Sequence, residues 1–179
     1  MFELSIRNAW ILSLPFFALG VLFMGTKKDI AKRMSDMTGY NKKEKFFTIL
    51  ASIAPYPFMI ATAWTPFTTM LPLLYMGIVL YIFGMASFMA SLKIIIETPH
   101  DEPFRAGPYR FTRNPLYVSA TSVFVGICLA TANIILIAYL VIATVLQHFM
   151  ILAEERICRE KYGLDFEVYQ KRVPRYLFI

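Results

Sequence analysis

The stretch LPLLYMGIVLYIFGMASFMASL, residues 71–92, decides the fold class of this chain. It contains no Asp, Glu, Lys or Arg, and a helix of about 20 apolar residues at 1.5 Å each crosses a hydrocarbon core of roughly 30 Å. We therefore interpret it as a membrane-spanning helix. Four more apolar stretches surround it, at residues 9–25, 46–64, 116–131 and 133–153. They predict an all-α, polytopic membrane protein with about five transmembrane helices, ending in a helical hairpin and a cytoplasmic amphipathic tail.

The composition favours a membrane protein over a soluble domain. Hydrophobic residues make up 58% of the 179 residues and charged residues 17%, whereas soluble domains hold about 45–50% apolar residues. We predict a single membrane domain over residues 1–179, in which residues 1–92 are scaffold spans and residues 93–179 hold a cofactor loop, the hairpin and the tail. The first stretch follows Arg7 but lacks the small-residue cleavage site of a signal peptide, so we expect it to be retained. The oligomeric state is left open.

The positive charge indicates membrane topology and not nucleic-acid binding. The formal net charge is +6, but the Lys and Arg residues lie in three clusters between apolar stretches, as juxtamembrane loops do. If five spans alternate sides, all but Arg7 of the 18 Lys and Arg residues fall on one side. The positive-inside rule makes that side cytoplasmic. We therefore expect no nucleic-acid partner, and a site that faces the cytoplasm.

Prolines interrupt the second stretch. Pro55 and Pro57 each remove a backbone donor, which predicts a kink or local unwinding. Such a bend either shapes the wall of a pocket or is tolerated in a scaffold helix.

No metal site is predicted. Cys128 and Cys158 have neither disulfide nor CxxC spacing and are interpreted as packing thiols. His100 and His148 are too few and too far apart in sequence to bind a metal.

The polar loop before the fourth stretch, Gly-Pro-Tyr-Arg-Phe-Thr-Arg-Asn-Pro-Leu-Tyr at residues 107–117, is the first candidate site. Gly107 and Pro108 end any preceding helix, and Pro115 suits the first turn of the next one. Free amide groups at that helix start bind anionic groups. Arg113, and with less specificity Arg110, adds donors that suit a carboxylate.

Acidic and polar residues near the end of the fifth stretch form the second candidate. Glu154 and Glu155 place two negative charges at a helix C-terminus, which the helix dipole opposes, so arginines or a cationic ligand should compensate them. Gln147 and His148 lie one heptad earlier on the same helix face. Such residues in a span mark either a functional interior or a helix contact. Arg175, in the basic and aromatic tail, is predicted to reach back to this region.

Together these residues resemble the integral-membrane methyltransferases, which include isoprenylcysteine carboxyl methyltransferase and the phospholipid N-methyltransferases. The family pattern has G-x-Y and R-[H/N]-P-x-Y, a hairpin, then E-E and a basic aromatic tail. Its counterparts here cover roughly the last 75 residues: Gly107-Pro108-Tyr109, Arg113-Asn114-Pro115-Leu116-Tyr117, Glu154-Glu155, Tyr162-Gly163, Phe166, Tyr169 and Val173-Pro174-Arg175. Asn114 stands where many members have His, and the Gly-x-Gly of the phospholipid enzymes' third span has no counterpart near Gly77 or Gly84.

The resemblance implies a methyltransferase that uses S-adenosylmethionine on a lipid or a lipidated substrate entering sideways from the membrane. The cofactor-binding residues that it implies are Gly107, Tyr109, Arg113, Asn114, Pro115, Tyr117, Glu154 and Glu155. Glu155 would hold the amino or ribose groups of the cofactor. A carboxylate acceptor would be oriented by Arg175 or Arg113, so we assign catalytic roles to Arg113, Glu155 and Arg175. An amine acceptor would need a base, for which Glu154, Glu155 or His148 is available.

Two alternatives stay open. Sterol reductases that use NADPH share a similar final hairpin and a tail like the segment from Glu155 to Tyr169, although they are usually much longer. A scaffold that keeps the hairpin without activity predicts no ligand at all.

Overall fold

The computed structural model of the protein describes residues 5–99 and 102–177. Within these ranges the chain is helical and contains no β-strand, as predicted. The α-helices are α1 (Trp10–Thr26), α2 (Lys28–Met34), α3 (Lys42–Ile53), α4 (Pro55–Thr62), α5 (Leu71–Glu97), α6 (Pro115–Thr131), α7 (Ile134–Tyr162) and α8 (Leu164–Arg172). A short 3₁₀ helix, Gly107–Arg110, precedes α6.

Three or four of the described helical segments can cross a membrane. Lys42–Thr62, Leu71–Glu97 and Ile134–Tyr162 are long and apolar enough. A fourth span is present if α1 and α2, which are bent by 108° relative to each other, are counted as one. α6 is apolar but has only 17 residues. The structure therefore supports a polytopic membrane protein, and the count of five spans stays a prediction.

The second apolar stretch is interrupted where the prolines predicted a break. α3 ends at Ile53 and α4 begins at Pro55, because Pro55 cannot donate a backbone hydrogen bond within a continuing helix. Ala54 and Pro55 line a cavity. The carbonyl of Ala54, at this break, accepts a hydrogen bond from the Tyr139 hydroxyl of α7 at 2.8 Å.

α7 is longer than the sequence predicted. We expected the fifth stretch to end near residue 153, with Glu154 and Glu155 at its C-terminus, but the helix continues to Tyr162. Arg156 and Glu160, four residues apart, pair at 2.6 Å and support the added turns. The helix ends at Gly163, where φ is +54°. The glutamate pair therefore lies inside a helix, about two turns before its end.

The core forms where α6 packs closely on α5. Gly77 of α5 and Gly126 of α6 let the two backbones approach, since a Cβ built on Gly77 would lie 2.5 Å from the Gly126 carbonyl oxygen. Small residues allow such close packing in membrane helices. Beside this contact Phe124 packs against Phe16 and Phe58, with ring centroids 5.2 and 4.9 Å away. α6 is thus held centrally, with α1 and α4 on its other side.

Replacing Gly77 with alanine is expected to lower stability by about 1–3 kcal/mol, because backbone atoms of α6 would have to move. Gly20 is the matched control, since a Cβ there meets nothing within 4 Å. Gly20→Ala should instead be neutral or stabilising by up to about 1 kcal/mol through helix propensity. Thermal midpoints in detergent check both, and a Gly77→Ala midpoint equal to that of the wild type would contradict the packing argument.

Candidate functional site

Glu155 is the centre of a buried ion-pair network. Its side chain is 6% exposed, and its oxygens accept hydrogen bonds from Arg113 Nε at 3.1 Å and Nη2 at 3.2 Å. Asn114 Nδ2 donates at 3.0 Å, and Arg175 donates through Nε at 3.1 Å and Nη2 at 3.0 Å. Two guanidinium groups and an amide thus compensate one carboxylate. Residues from α7, the loop before α6 and the C-terminal segment meet there.

The same loop ties down the C-terminal segment. Arg113 Nη1 donates to the carbonyls of Gln170 and Val173 at 3.1 and 2.7 Å, and its backbone N–H donates to Pro174 at 2.9 Å. The hydroxyl of Thr112 donates to the carbonyl of Arg175 at 2.7 Å. The predicted approach of the tail to this site is therefore explained by backbone contacts as well as by charge.

Glu154 has a different environment from its neighbour. Its carboxylate accepts a hydrogen bond from the Tyr117 hydroxyl at 2.5 Å. Within residues 5–99 and 102–177 no Lys, Arg or His lies in salt-bridge contact with it. It is half-buried and lines two cavities. Glu154 is thus an acid with no cationic partner in the described chain, placed next to open space.

The first of these cavities, here the polar cavity, has a volume of about 280 Å³. Charged groups of both signs line it: Arg33, Asp36, Arg113, Glu154, Glu155 and Lys161. Aromatic side chains complete the wall: Tyr40, Phe104, Tyr109, Tyr117, Tyr162, Phe166 and Tyr169. Burial raises the pKa of Tyr109 well above its ordinary value, so its hydroxyl stays protonated.

The second, here the apolar cavity, has a volume of about 300 Å³ and lies between α3, α4, α6 and α7. Among the side chains that line it, only Asp36 and Glu154 are charged, and both are acidic. Phe16, Phe58, Phe88 and Phe124 are part of its apolar wall. Its chemistry suits a hydrocarbon chain with a positive charge at one end.

The two cavities adjoin each other at six shared residues. The residues common to both linings are Met34, Asp36, Tyr40, Leu116, Tyr117 and Glu154. A ligand in the polar cavity and one in the apolar cavity would therefore meet beside the Tyr117–Glu154 hydrogen bond. This is the arrangement that a transfer reaction between a polar and a lipophilic reactant needs.

Asp36 and Tyr40, in the segment between α2 and α3, were not predicted as site residues. Arg156 holds this segment in place by donating to both carboxylate oxygens of Glu44, at 2.8 and 2.6 Å, and to the carbonyl of Gly39 at 2.9 Å. Glu44 also completes a capping box with Asn41 at the start of α3. That capping box was readable in the sequence, but nothing in the sequence connects it with Arg156.

Six of the eight residues predicted to bind the cofactor line the polar cavity: Tyr109, Arg113, Asn114, Tyr117, Glu154 and Glu155. Gly107 and Pro115 are outside its lining, and so is Arg175. Gly107 has a φ of +55° and faces Ile94, and Pro115 is buried as the first residue of α6. Arg110 is exposed and lines neither cavity.

A third, lateral cavity of about 280 Å³ lies on the other side of the α6–α7 contact. It shares Tyr117, Thr121, Thr144 and Gln147 with the apolar cavity. At the α6–α7 contact between these two cavities, the hydroxyl of Thr121 donates to Gln147 Oε1 at 3.2 Å. His148, beneath Glu155, pairs through Nδ1 with the Tyr176 hydroxyl at 2.7 Å.

The described residues contain no group of three or more His, Cys, Asp or Glu side chains that could hold a metal ion. His100, which the sequence analysis considered, lies outside the described residues.

Comparison with known proteins identifies one family. The family model described as phospholipid methyltransferase matches residues 72–165, just over half of the chain. It begins in α5, one helix earlier than the motifs recognised in the sequence, and runs through α6 and α7. No curated protein and no solved structure matches the chain.

Proposed function

The chain belongs to the phospholipid methyltransferase family, and from this premise we propose that it transfers a methyl group from S-adenosylmethionine to the amine of a membrane lipid. Membership of the family implies a methyltransferase and a lipid context. The cofactor is the one that the family resemblance implies, and the class of acceptor is inferred from the charges that line the apolar cavity.

The sign of the charges that line the apolar cavity favours an amine as the methyl acceptor. The charged side chains in its lining, Asp36 and Glu154, are both negative. The arginines that would orient a carboxylate acceptor, Arg113 and Arg175, already donate to Glu155. A prenylcysteine carboxylate would therefore meet repulsion without a free guanidinium, while an ammonium group would be attracted.

The polar cavity suits S-adenosylmethionine. The amino acid end of that cofactor carries both signs of charge, and this cavity is lined by Arg33 and Lys161 as well as by Asp36 and Glu154. Its aromatic residues, among them Phe104, suit an adenine ring. When bound, the cofactor supplies an electrophilic methyl group on a sulfonium.

The roles of the two glutamates differ in this proposal. Glu155 holds Arg113 and Asn114 in place and acts as a positioning residue, since its oxygens already accept five hydrogen bonds. Glu154 is the catalytic base, which accepts a proton from the acceptor amine. Tyr117 orients it through its hydroxyl.

We further propose that the chain forms one membrane domain over residues 1–179 with five spans, in which α6 and α7 form the hairpin and the site faces the cytoplasm. The distribution of Lys and Arg supports this orientation. The N-terminal part does more than build a scaffold in this proposal, because Asp36 and Tyr40 line both cavities. The family match gives no support to the alternative of a reductase that uses NADPH.

Ligand binding followed by turnover tests the proposal. The purified protein in detergent should be stabilised by S-adenosylhomocysteine, by about 2.7 kcal/mol at a hundredfold excess over its dissociation constant, and not by NADPH. With a labelled methyl donor, label should enter a lipid amine such as phosphatidylethanolamine and not a prenylcysteine carboxylate. Stabilisation by NADPH alone would overturn the reaction class, and labelling of the carboxylate alone would overturn the acceptor.

A further inference from the structure

Thr48 carries a hydrogen-bonding group that nothing in the described chain satisfies. Its hydroxyl oxygen is buried and has no hydrogen-bond partner, while the residue lines the apolar cavity. Threonines in helices commonly bond the carbonyl four residues earlier, as Thr144 does to Leu140 at 2.8 Å and Thr131 to Ile127 at 2.9 Å. A buried hydroxyl left without a partner costs about 1–3 kcal/mol, so its presence calls for an explanation.

Gln147, which lines both the apolar and the lateral cavity, has a second set of unused donors. Its carbonyl oxygen accepts from Thr121 at 3.2 Å, and its amide N–H groups donate to none of the residues that the structure describes. Polar groups inside a membrane span are costly and mark functional positions. The apolar cavity therefore has two polar side chains on facing helices, α3 and α7, each with donor capacity to spare.

In the proposed orientation, both residues lie deeper in the membrane than the reaction site. Gln147 precedes Glu154 by seven residues, which is roughly 10 Å along α7 at 1.5 Å per residue. α3 runs alongside α7 in the opposite direction, because Glu44 pairs with Arg156 and Phe47 stacks on Phe149 with centroids 4.6 Å apart. Thr48 follows Phe47 directly, so it lies near the level of Gln147.

We propose that Thr48 and Gln147 bind the ester carbonyls of an acyl lipid whose headgroup reaches Glu154. Ester carbonyls accept hydrogen bonds and donate none, which matches the two sets of unused donors. The Thr48 hydroxyl turns toward the cavity by rotation about χ1, for which threonine has two accessible rotamers in helices. An isoprenoid or ether-linked chain has no carbonyl at this depth. The inference rests on the proposed function for the position of the headgroup only.

Binding of matched ester and ether lipids tests this inference without turnover. The probes are diacyl phosphatidylethanolamine and its dialkyl ether analogue, titrated into the full-length protein in detergent micelles without a methyl donor. The wild type should bind the diacyl lipid more tightly, by about 3- to 10-fold for each net hydrogen bond that Thr48 or Gln147 donates. Thr48→Val should weaken binding of the diacyl lipid alone by one such factor and leave only the preference that Gln147 provides.

Thr144→Val is the matched control. Thr144 lines the same cavity, but its hydroxyl is already bonded within α7, so the variant should keep the preference for the ester. Thr48→Val should also melt at or above the wild-type temperature without lipid, because it removes an unsatisfied hydroxyl. This shows that the variant folds and separates a ligand-binding role from a structural one.

Two results would overturn the inference: equal binding of ester and ether lipids by the wild type, or equal weakening of both by Thr48→Val. A second lipid pair, diacyl and dialkyl phosphatidylglycerol, separates its failure from failure of the proposed function. A preference for the ester in both pairs without methyl transfer to any amine would refute the proposed reaction and keep the assignment of Thr48 and Gln147. Methyl transfer to an amine without a preference for the ester would support the proposed reaction and refute the assignment of Thr48 and Gln147.

Discussion

Glu155→Ala is expected to destabilise the protein by about 3–5 kcal/mol and to abolish binding of S-adenosylhomocysteine. The side chains of Glu155 and Arg113 are only 6% and 10% exposed, so removing the carboxylate leaves a buried guanidinium without its counter-ion. Arg175 loses its acidic partner in the same step. Asn114 loses an acceptor as well. Arg113 and Asn114, which line the polar cavity, are then no longer held in place by Glu155. A thermal melt in detergent, with and without S-adenosylhomocysteine, measures both effects.

Two further variants make this result interpretable. Lys42→Ala changes an exposed residue in the first turn of α3 and should leave the melting temperature and the ligand shift unchanged. Glu155→Gln keeps the size of the side chain but removes its charge, and should lie between wild type and alanine. If Glu155→Ala and Lys42→Ala had equal effects, the network around Glu155 would not be the determinant of the site.

Glu154→Gln is expected to lower methyl transfer by about 100- to 10,000-fold, the range for loss of a general base. The substitution keeps the size of the side chain and an acceptor for the Tyr117 hydroxyl. Because Glu154 forms no salt bridge within the described residues, no buried cation loses its partner. The variant should therefore fold normally and still be stabilised by S-adenosylhomocysteine. Turnover and ligand binding measured on the same preparation check this prediction.

Glu167→Gln provides the comparison for this loss. Glu167 is an exposed acid on α8 that lines neither the polar nor the apolar cavity, so its variant should turn over like the wild type. Tyr117→Phe should reduce turnover less than Glu154→Gln does, because it leaves the base in place without its orienting hydroxyl. Near-normal activity of Glu154→Gln would exclude Glu154 as the base.

The pattern of apolar residues was enough to predict helices and a membrane environment. Residues 71–92 carry no charge, and they lie inside α5. The ends of helices were harder to predict, since α7 extends to Tyr162 through charged residues. Hydrophobicity marks where a helix is buried in lipid, whereas a helix that leaves the membrane is continued by local ion pairs such as Arg156–Glu160.

The set of motif residues could be predicted from the sequence, but the separate role of each residue could not. Glu154 and Glu155 are neighbouring residues of the same type, so the sequence does not distinguish between them. Successive helical residues point about 100° apart, so Glu155 meets Arg113 and Arg175 while Glu154 meets Tyr117 and open space. The sequence allowed either one to hold the cofactor or to serve as a base.

By itself, the sequence determined that this is a helical membrane protein with a methyltransferase motif, because the length of an apolar stretch and the spacing of a motif are local properties of the chain. Tertiary structure alone decided which charges are already paired and which face a cavity. It also brought in Asp36, Tyr40 and Thr48 from a region that the family model does not match. Such contacts join residues about a hundred positions apart, as Arg156 and Glu44 do, and only packing of the helices creates them.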